Sequence, residues 1–282
     1  MSTTIDDAPT TRADGILTGK RILVTGVLTP KSIAFSIAAA CHAQGAEVVL
    51  TSFGRAMSLT LRSAERLDPV PVVLEMDVTD VAQVVAVADT VRERWGTLDG
   101  VVHAIGFAPP DCLGGGFLEA PWSSVAVAFE VSTFSLKTLA AAFVPLMPPT
   151  GGAVVSLTFD ATVAWPLYDW MGPAKAALEA VSRYLARDLG PRGVRVNTIA
   201  AGPLETVAAK SIPGFGGLKD SWSGQAPLGW DAADAGPVAD TAVFLLSDMA
   251  RGITGELIHV DGGYHSQGGP SSRADTPASE YS

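Results

Sequence analysis

Short apolar runs alternate with longer stretches whose apolar positions recur at helical spacing, and this alternation continues along almost the whole chain. The short runs are rich in β-branched residues and predict strands over 21–26, 46–51, 72–76, 99–104, 153–158, 194–199 and 256–260. The longer stretches predict a helix capped by Ser32 and running through Gln44, with further helices over 57–67, 81–95, 123–147 and 174–188. Near-continuous apolar strands separated by helices imply a parallel sheet buried on both faces. Right-handed crossovers then give an α/β fold, a single-domain Rossmann-type doubly wound parallel sheet of seven strands flanked by helices. The domain is expected over 15–267, with polar tails at 1–14 and 268–282 expected to be mobile. One segment, about 203–234, breaks the alternation. It is rich in glycine, has little periodicity and is long for a connection, so it is expected to be a lid or substrate-binding segment.

Composition narrows the function. Only 17% of residues are charged, which favours a sizeable core. The net charge of -10 argues against nucleic acid as a partner, because phosphate binding needs a basic face. Two cysteines, Cys41 and Cys112, without CxxC or HExxH spacing, fit a reducing compartment and give no support to a metal site. The start lacks the basic flank and apolar run of a signal peptide, and the longest apolar stretches read as shorter than a membrane span. The expectation is a soluble cytoplasmic protein with no membrane partner.

The candidate chemistry centres on Tyr168 and Lys175, seven residues apart at the head of a helical run. A phenol can donate to a developing oxyanion, and a nearby cation makes that easier. Pro173 is tolerable only near a helix start, so Tyr168 is expected at or just before that start. The first βα turn holds Gly26 but few further glycines, and Ser32 and Ile33 open the helix. This reads either as an ordinary turn or as a helix N-terminus that holds phosphate. The fourth strand ends in Ile105 and Gly106, a second place where bare backbone can meet a cofactor. Asp77 is either a turn or N-cap aspartate or an acceptor for an adenine amino group, and Phe53 is either core or an adenine platform.

These residues carry a family resemblance. The chain resembles the NADH-dependent enoyl-ACP reductases of type II fatty acid synthesis, within the short-chain dehydrogenase/reductase superfamily, and is similar to the actinobacterial group that includes the isoniazid target. The matching motifs are Gly26-x5-Ser32-Ile33-Ala34-Phe35, Leu50-Thr51-x-Phe53, Met76-Asp77-Val78, His103-x-Ile105-Gly106-Phe107, Phe159-Asp160, Tyr168-x6-Lys175-x-Ala177-Leu178, Ala201-Gly202-Pro203, the run from Ala226 to Trp230, and Val260-Asp261-Gly262-Gly263. They span nearly the whole folded chain. The Tyr-x6-Lys spacing is the most specific, since most other short-chain dehydrogenases use Tyr-x3-Lys. The resemblance implies NAD(H) held by Gly26, Ser32, Ile33, Phe53, Asp77, Val78, Ala104, Ile105, Gly106, Lys175, Gly202, Pro203, Leu204 and Thr206. It implies Tyr168, Lys175 and Phe159 as the catalytic group, with Phe159 beside the reacting double bond. Phe107, Met171, Ala208, Ile212 and Phe215 would complete the acyl slot with Phe159 and Tyr168. The substrate would be an enoyl thioester on acyl carrier protein or coenzyme A, and the assembly a homotetramer.

Three positions depart from the family pattern. Ala104 stands where a serine is usual, removing one hydrogen bond of about 1 kcal/mol. Glu205 places negative charge near the expected pyrophosphate. Gly54 replaces a common aspartate, leaving Arg55 unopposed near the adenine ribose, so NADP(H) is not excluded by sequence. Weaker NADH affinity is expected, with NADH still preferred. The segment after Thr206 is shorter than in the mycobacterial long-chain enzyme, which suggests short-to-medium acyl chains. The competing readings are another short-chain reductase acting on a ketone or alcohol, where Thr158 would stand for that class's serine, and a non-catalytic dinucleotide-binding paralogue. A specialised-metabolite or inhibitor-tolerant enoyl reductase keeps the chemistry and changes the role.

Overall fold

The apolar runs become seven strands: β1 (Arg21–Thr25), β2 (Glu47–Ser52), β3 (Val72–Glu75), β4 (Gly100–His103), β5 (Gly152–Thr158), β6 (Val194–Ala201) and β7 (Leu257–Val260). They form one sheet in the order β3-β2-β1-β4-β5-β6-β7, with every pairing parallel. The computed structural model of the chain describes residues 15–210 and 212–269. The expected tail 1–14, and all of the expected tail 268–282 beyond Gly269, therefore lie outside the described residues. The doubly wound Rossmann-type architecture is as expected.

Helices α1 (Ile33–Ala43), α2 (Met57–Ala64), α3 (Val81–Trp95), α4 (Trp122–Phe129), α5 (Ser135–Phe143), α6 (Met171–Leu189), α7 (Val207–Lys210), α8 (Phe215–Gln225) and α9 (Gly236–Leu246) cover both faces. One core joins β1 and β2 to α1 and α9 through residues such as Ile22, Ile37, Leu50 and Val238. The other joins the opposite face to α3, α5 and α6 through Leu23, Val91, Leu139 and Leu178. Burial on both faces explains why the strands are apolar throughout instead of alternating.

Several expectations differ from what is observed. The single long helix over 123–147 is α4 and α5 joined by a π-helical turn, Glu130–Phe134, and closed by a short 3-10 turn. Its span Trp122–Leu146 is also long and apolar enough to cross a membrane by length and composition, contrary to the sequence expectation. Half of it is buried in the molecule, where it packs on β4 and α6 as a core helix. The 203–234 segment is not an irregular loop but carries α7 and α8, and α9 follows it without having been expected at all. Ser32 occupies the N-cap position of α1 without capping it.

The strand order reverses between β1 and β4, and ligands in such sheets bind beyond the carboxyl ends of the strands at that point. Gly26 leaves β1 with φ +83°, and an added Cβ would sit 2.0 Å from the Ala104 carbonyl oxygen. Only glycine fits, because the first βα turn lies directly on the exit of β4.

Candidate active site

Four strand exits converge at the carboxyl edge: the first βα turn after β1, Ile105–Gly106 after β4, Phe159 after β5 and Gly202–Leu204 after β6. At the first turn the Ser32 hydroxyl oxygen accepts from the backbone N–H groups of Leu28 (3.1 Å) and Thr29 (3.0 Å). This is the physical reason it does not cap α1. Its own O–H stays available to donate outward, and the leading N–H groups of α1, starting at Ile33, have no intrahelical acceptor. The turn thus presents donors and a helix N-terminus, which suits a phosphate despite its shortage of glycine.

Lys175 lies in the first turns of α6 and Tyr168 three residues before that helix begins, as Pro173 required. Both are buried. Lys175 Nζ donates to the Leu157 carbonyl (2.9 Å), and a Cβ built on Gly106 would lie 3.6 Å from that nitrogen. The ammonium therefore stands over the Gly106 backbone with two N–H groups left to give. Tyr168 packs its ring edge on Phe159, with centroids 5.3 Å apart. Burial holds the phenol well above the usual tyrosine range, and the charge of Glu179 adds to this. Burial lowers Lys175 to about 8, against the opposing pull of Glu179. At neutral pH the pair is a phenol and an ammonium.

The turn that presents Tyr168 is strained. Leu167 and Asp169, on either side, both have positive φ (62° and 38°), which costs about 1–3 kcal/mol at each such residue. The 110–117 loop holds this turn in place. Gly114 N–H donates to the Leu167 carbonyl, Gly115 N–H to the Asp169 carboxylate and Trp170 N–H to the Cys112 carbonyl. Phe117 stacks on Trp170 at 4.6 Å. The π-helical turn fixes the other side. Ser132 Oγ accepts from Phe107 N–H and donates to the Phe107 carbonyl, while Thr133 Oγ1 donates to the Ala174 carbonyl. The irregular turn between α4 and α5 thus ties the exit of β4 to the head of α6.

Several site groups were not singled out from sequence. Glu179 is a buried carboxylate one turn beyond Lys175 that accepts from Thr158 Oγ1 (3.1 Å) and Ala161 N–H (3.3 Å), and burial raises its pKa. Its i+4 spacing from Lys175 was the available signal. His103 is fully buried, bonded to Ser135 Oγ (2.7 Å) and lowered to about 3 by desolvation, then by the Lys175 charge, so it is a neutral ring.

The adenine end brings Phe53, Asp77 and Val78 to the exits of β2 and β3. Phe53 is exposed and Val78 is buried. Asp77 accepts from the N–H and hydroxyl of Thr79, which makes it a turn aspartate, while Asp80 is the N-cap of α3. Next to Arg55, the Glu75 carboxylate accepts from Gly54 N–H (3.2 Å). Glu205 is compensated, paired with Lys219 at 2.8 Å and further influenced by Lys210 and Lys31. Ala104 lacks the usual hydroxyl, but the Thr25 hydroxyl accepts its N–H (3.2 Å).

After β6, Pro203 and Leu204 are buried, and the Trp230 indole donates to the Pro203 carbonyl (2.8 Å). Gly202 is pressed against Trp230 and Trp222. Thr206 Oγ1 accepts from Ala209 N–H and so caps α7, leaving its O–H to donate. Of the expected acyl-slot residues, Met171 is buried near Gly106 and Phe107 is exposed. Ala208 is exposed, while Ile212 and Phe215 are half-buried on the α7–α8 segment. Among the described aromatic rings of that segment, Trp222 meets Phe159, at 5.6 Å between centroids.

A family profile described as enoyl-(acyl carrier protein) reductase matches residues 26–265. The enoyl-acyl-carrier-protein reductase (NADH) of Mycolicibacterium smegmatis is 44% identical over 267 residues, covering 90% of this chain and 98% of that one. The corresponding enzyme of Neisseria meningitidis serogroup B is 42% identical, covering 89% and 96%, and that of Aquifex aeolicus is 40% identical, covering 90% and 94%.

Proposed function

The chain belongs to the enoyl-acyl-carrier-protein reductase family, and we propose that it reduces the double bond of α,β-unsaturated acyl thioesters with NADH in fatty acid or related acyl-chain synthesis. The observation that carries this reading is the buried Tyr168–Lys175 pair, its ammonium over Gly106 and its phenol against Phe159.

NADH, when bound, supplies the hydride that adds at the β-carbon. Ser32 and the first N–H groups of α1 would hold its pyrophosphate, the O–H of Thr206 would add a further donor, and Lys175 would give its remaining N–H groups to the nicotinamide ribose. The surroundings of Pro203 and Leu204, fixed by the Trp230 indole, would frame the ring. Phe53, Asp77 and Val78 would meet the adenine, and the negative charge of Glu75, bonded to the Gly54 N–H next to Phe53, would disfavour a 2′-phosphate at this end and so favour NADH over NADPH.

Tyr168 stays protonated across the working pH range because burial raises its pKa, so it serves as a hydrogen-bond donor to the thioester oxygen. That bond strengthens as enolate charge develops on the oxygen, which is what lowers the barrier. Lys175 adds positive potential to the same region, and Glu179 keeps it protonated against the pull of desolvation. Phe159 closes the apolar side and keeps water from the reacting carbon.

Thr158 argues against the ketone-reducing alternative. Its hydroxyl donates to the Glu179 carboxylate and to the Phe159 carbonyl, so it is committed to the scaffold and not offered to a substrate. The assay is NADH oxidation with crotonyl and acetoacetyl thioesters side by side. Turnover of the crotonyl thioester alone supports the reading; turnover of the acetoacetyl thioester alone overturns it. A cytoplasmic homotetramer acting on carrier-protein substrates is part of the same proposal, and size-exclusion chromatography with light scattering checks the assembly.

A further inference from the structure

Beyond Phe159 the site is walled by aromatic rings from three distant parts of the chain. Trp165 comes from the loop before Tyr168, Trp222 from α8 and Tyr264 from the turn after β7. Phe159 lies 5.0 Å from Trp165 and 5.6 Å from Trp222, centroid to centroid. Trp165 and Trp222 are 4.9 Å apart, and Trp222 stacks on Tyr264 at 3.7 Å with the planes 11° from parallel. Starting at Tyr168, the rings run on without a gap: Tyr168, Phe159, Trp165 with Trp222, then Tyr264.

We propose, resting on the enoyl-reductase reading, that Trp165, Trp222 and Tyr264 set substrate choice by ending the acyl slot just past Phe159, so that the enzyme takes short enoyl thioesters. An acyl chain that leaves the reacting carbon beside Phe159 meets this wall within a few methylenes. The wall is fixed from several directions. The Trp165 indole donates to the Asp160 carbonyl, Trp222 is 2% exposed, and the Tyr264 hydroxyl lies 3.4 Å from Ser221 Oγ. Trp222 is also pressed on Gly202, where an added Cβ would stand 3.0 Å from its Nε1. That indole N–H is buried without a hydrogen-bond partner among the described residues.

The experiment compares kcat/KM for crotonyl, hexenoyl and dodecenoyl thioesters with NADH, in the wild type and in Tyr264→Ala. The wild type is expected to prefer the two short substrates over dodecenoyl by roughly tenfold or more, the scale that a few methylenes in a closed apolar pocket produce. In Tyr264→Ala the dodecenoyl-to-crotonyl ratio is expected to rise by about tenfold. Wild-type kcat/KM that is flat or rising with chain length overturns the proposal, whether or not the variant folds. Binding is followed in parallel by tryptophan quenching with butyryl and lauroyl thioesters in the presence of oxidised cofactor. Equal affinity for the two acyl groups sinks the wall. Selective butyryl binding without turnover of any enoyl thioester keeps the wall and sinks the enoyl-reductase reading instead.

Discussion

Lys175→Met should make the cofactor-free protein more stable while removing its function. Lys175 is buried, and desolvation lowers its pKa from 10.5 to about 8. At about 1.4 kcal/mol per unit, holding the ammonium there at neutral pH costs about 3 kcal/mol relative to an exposed lysine. Methionine is similar in length and carries no charge, so it removes that cost. The loss of the Nζ hydrogen bond to the Leu157 carbonyl takes back about 1 kcal/mol. Glu179 also loses its neighbouring cation, leaving a net gain of about 1–2 kcal/mol. For a chain of this size that is a rise in Tm of about 2–4 °C per kcal/mol. The pH dependence provides an internal check. Because the folded pKa lies below the unfolded one, the unfolded wild type binds more protons between about pH 8 and 10.5, and wild-type stability rises through that window. The variant has no such gain, so its advantage shrinks as pH climbs from 8 toward 10. Thermal unfolding without cofactor, followed by circular dichroism, measures both effects. NADH should raise the wild-type Tm and leave that of the variant nearly unmoved. A variant that melts below the wild type at neutral pH, or an advantage independent of pH, would refute the reasoning.

Further outcomes follow from the same geometry. In wild-type enzyme with saturating substrate, turnover should fall as pH rises through the Lys175 pKa near 8, because deprotonation removes the charge that supports the enolate; a pH–rate profile flat to pH 10 would contradict this. Glu75→Ala should shift the NADPH-to-NADH affinity ratio toward NADPH by about tenfold, read by fluorescence titration, and an unchanged ratio would remove Glu75 from cofactor choice. Gly26→Ala drives a Cβ into the Ala104 carbonyl at 2.0 Å and imposes positive φ on alanine, so urea unfolding should report a loss of more than about 2 kcal/mol together with weakened NADH binding.

The strands were legible because they are short, β-branched and apolar throughout, the pattern that burial on both faces leaves. The head of α6 was legible because Pro173 allows little freedom in where a helix can start. Helix α8 was not, since Gly216, Gly217 and Gly224 depress its helical propensity and its packing of Trp222 into the aromatic wall outweighs them. Helix α9 was missed because it is apolar on nearly every side and so has no polar face to set a period. At the site, motif spacing singled out Tyr168, Lys175 and Gly106, and the fold brings Lys175 over Gly106 with Tyr168 buried at the head of the same helix. Glu205 was misjudged because its counter-charge, Lys219, comes from another element. The wall of Trp165, Trp222 and Tyr264 lies beyond sequence pattern for the same reason: its three members come together only in the fold.

The most direct test of the central claim is the turnover of a crotonyl thioester by NADH in the wild type and in Tyr168→Phe, alongside NADH affinity in each. The account predicts that the wild type consumes one NADH per double bond reduced. In the variant, kcat should drop by about a hundredfold or more, as for loss of an oxyanion donor, while NADH binding stays close to that of the wild type. Full activity in Tyr168→Phe would contradict it.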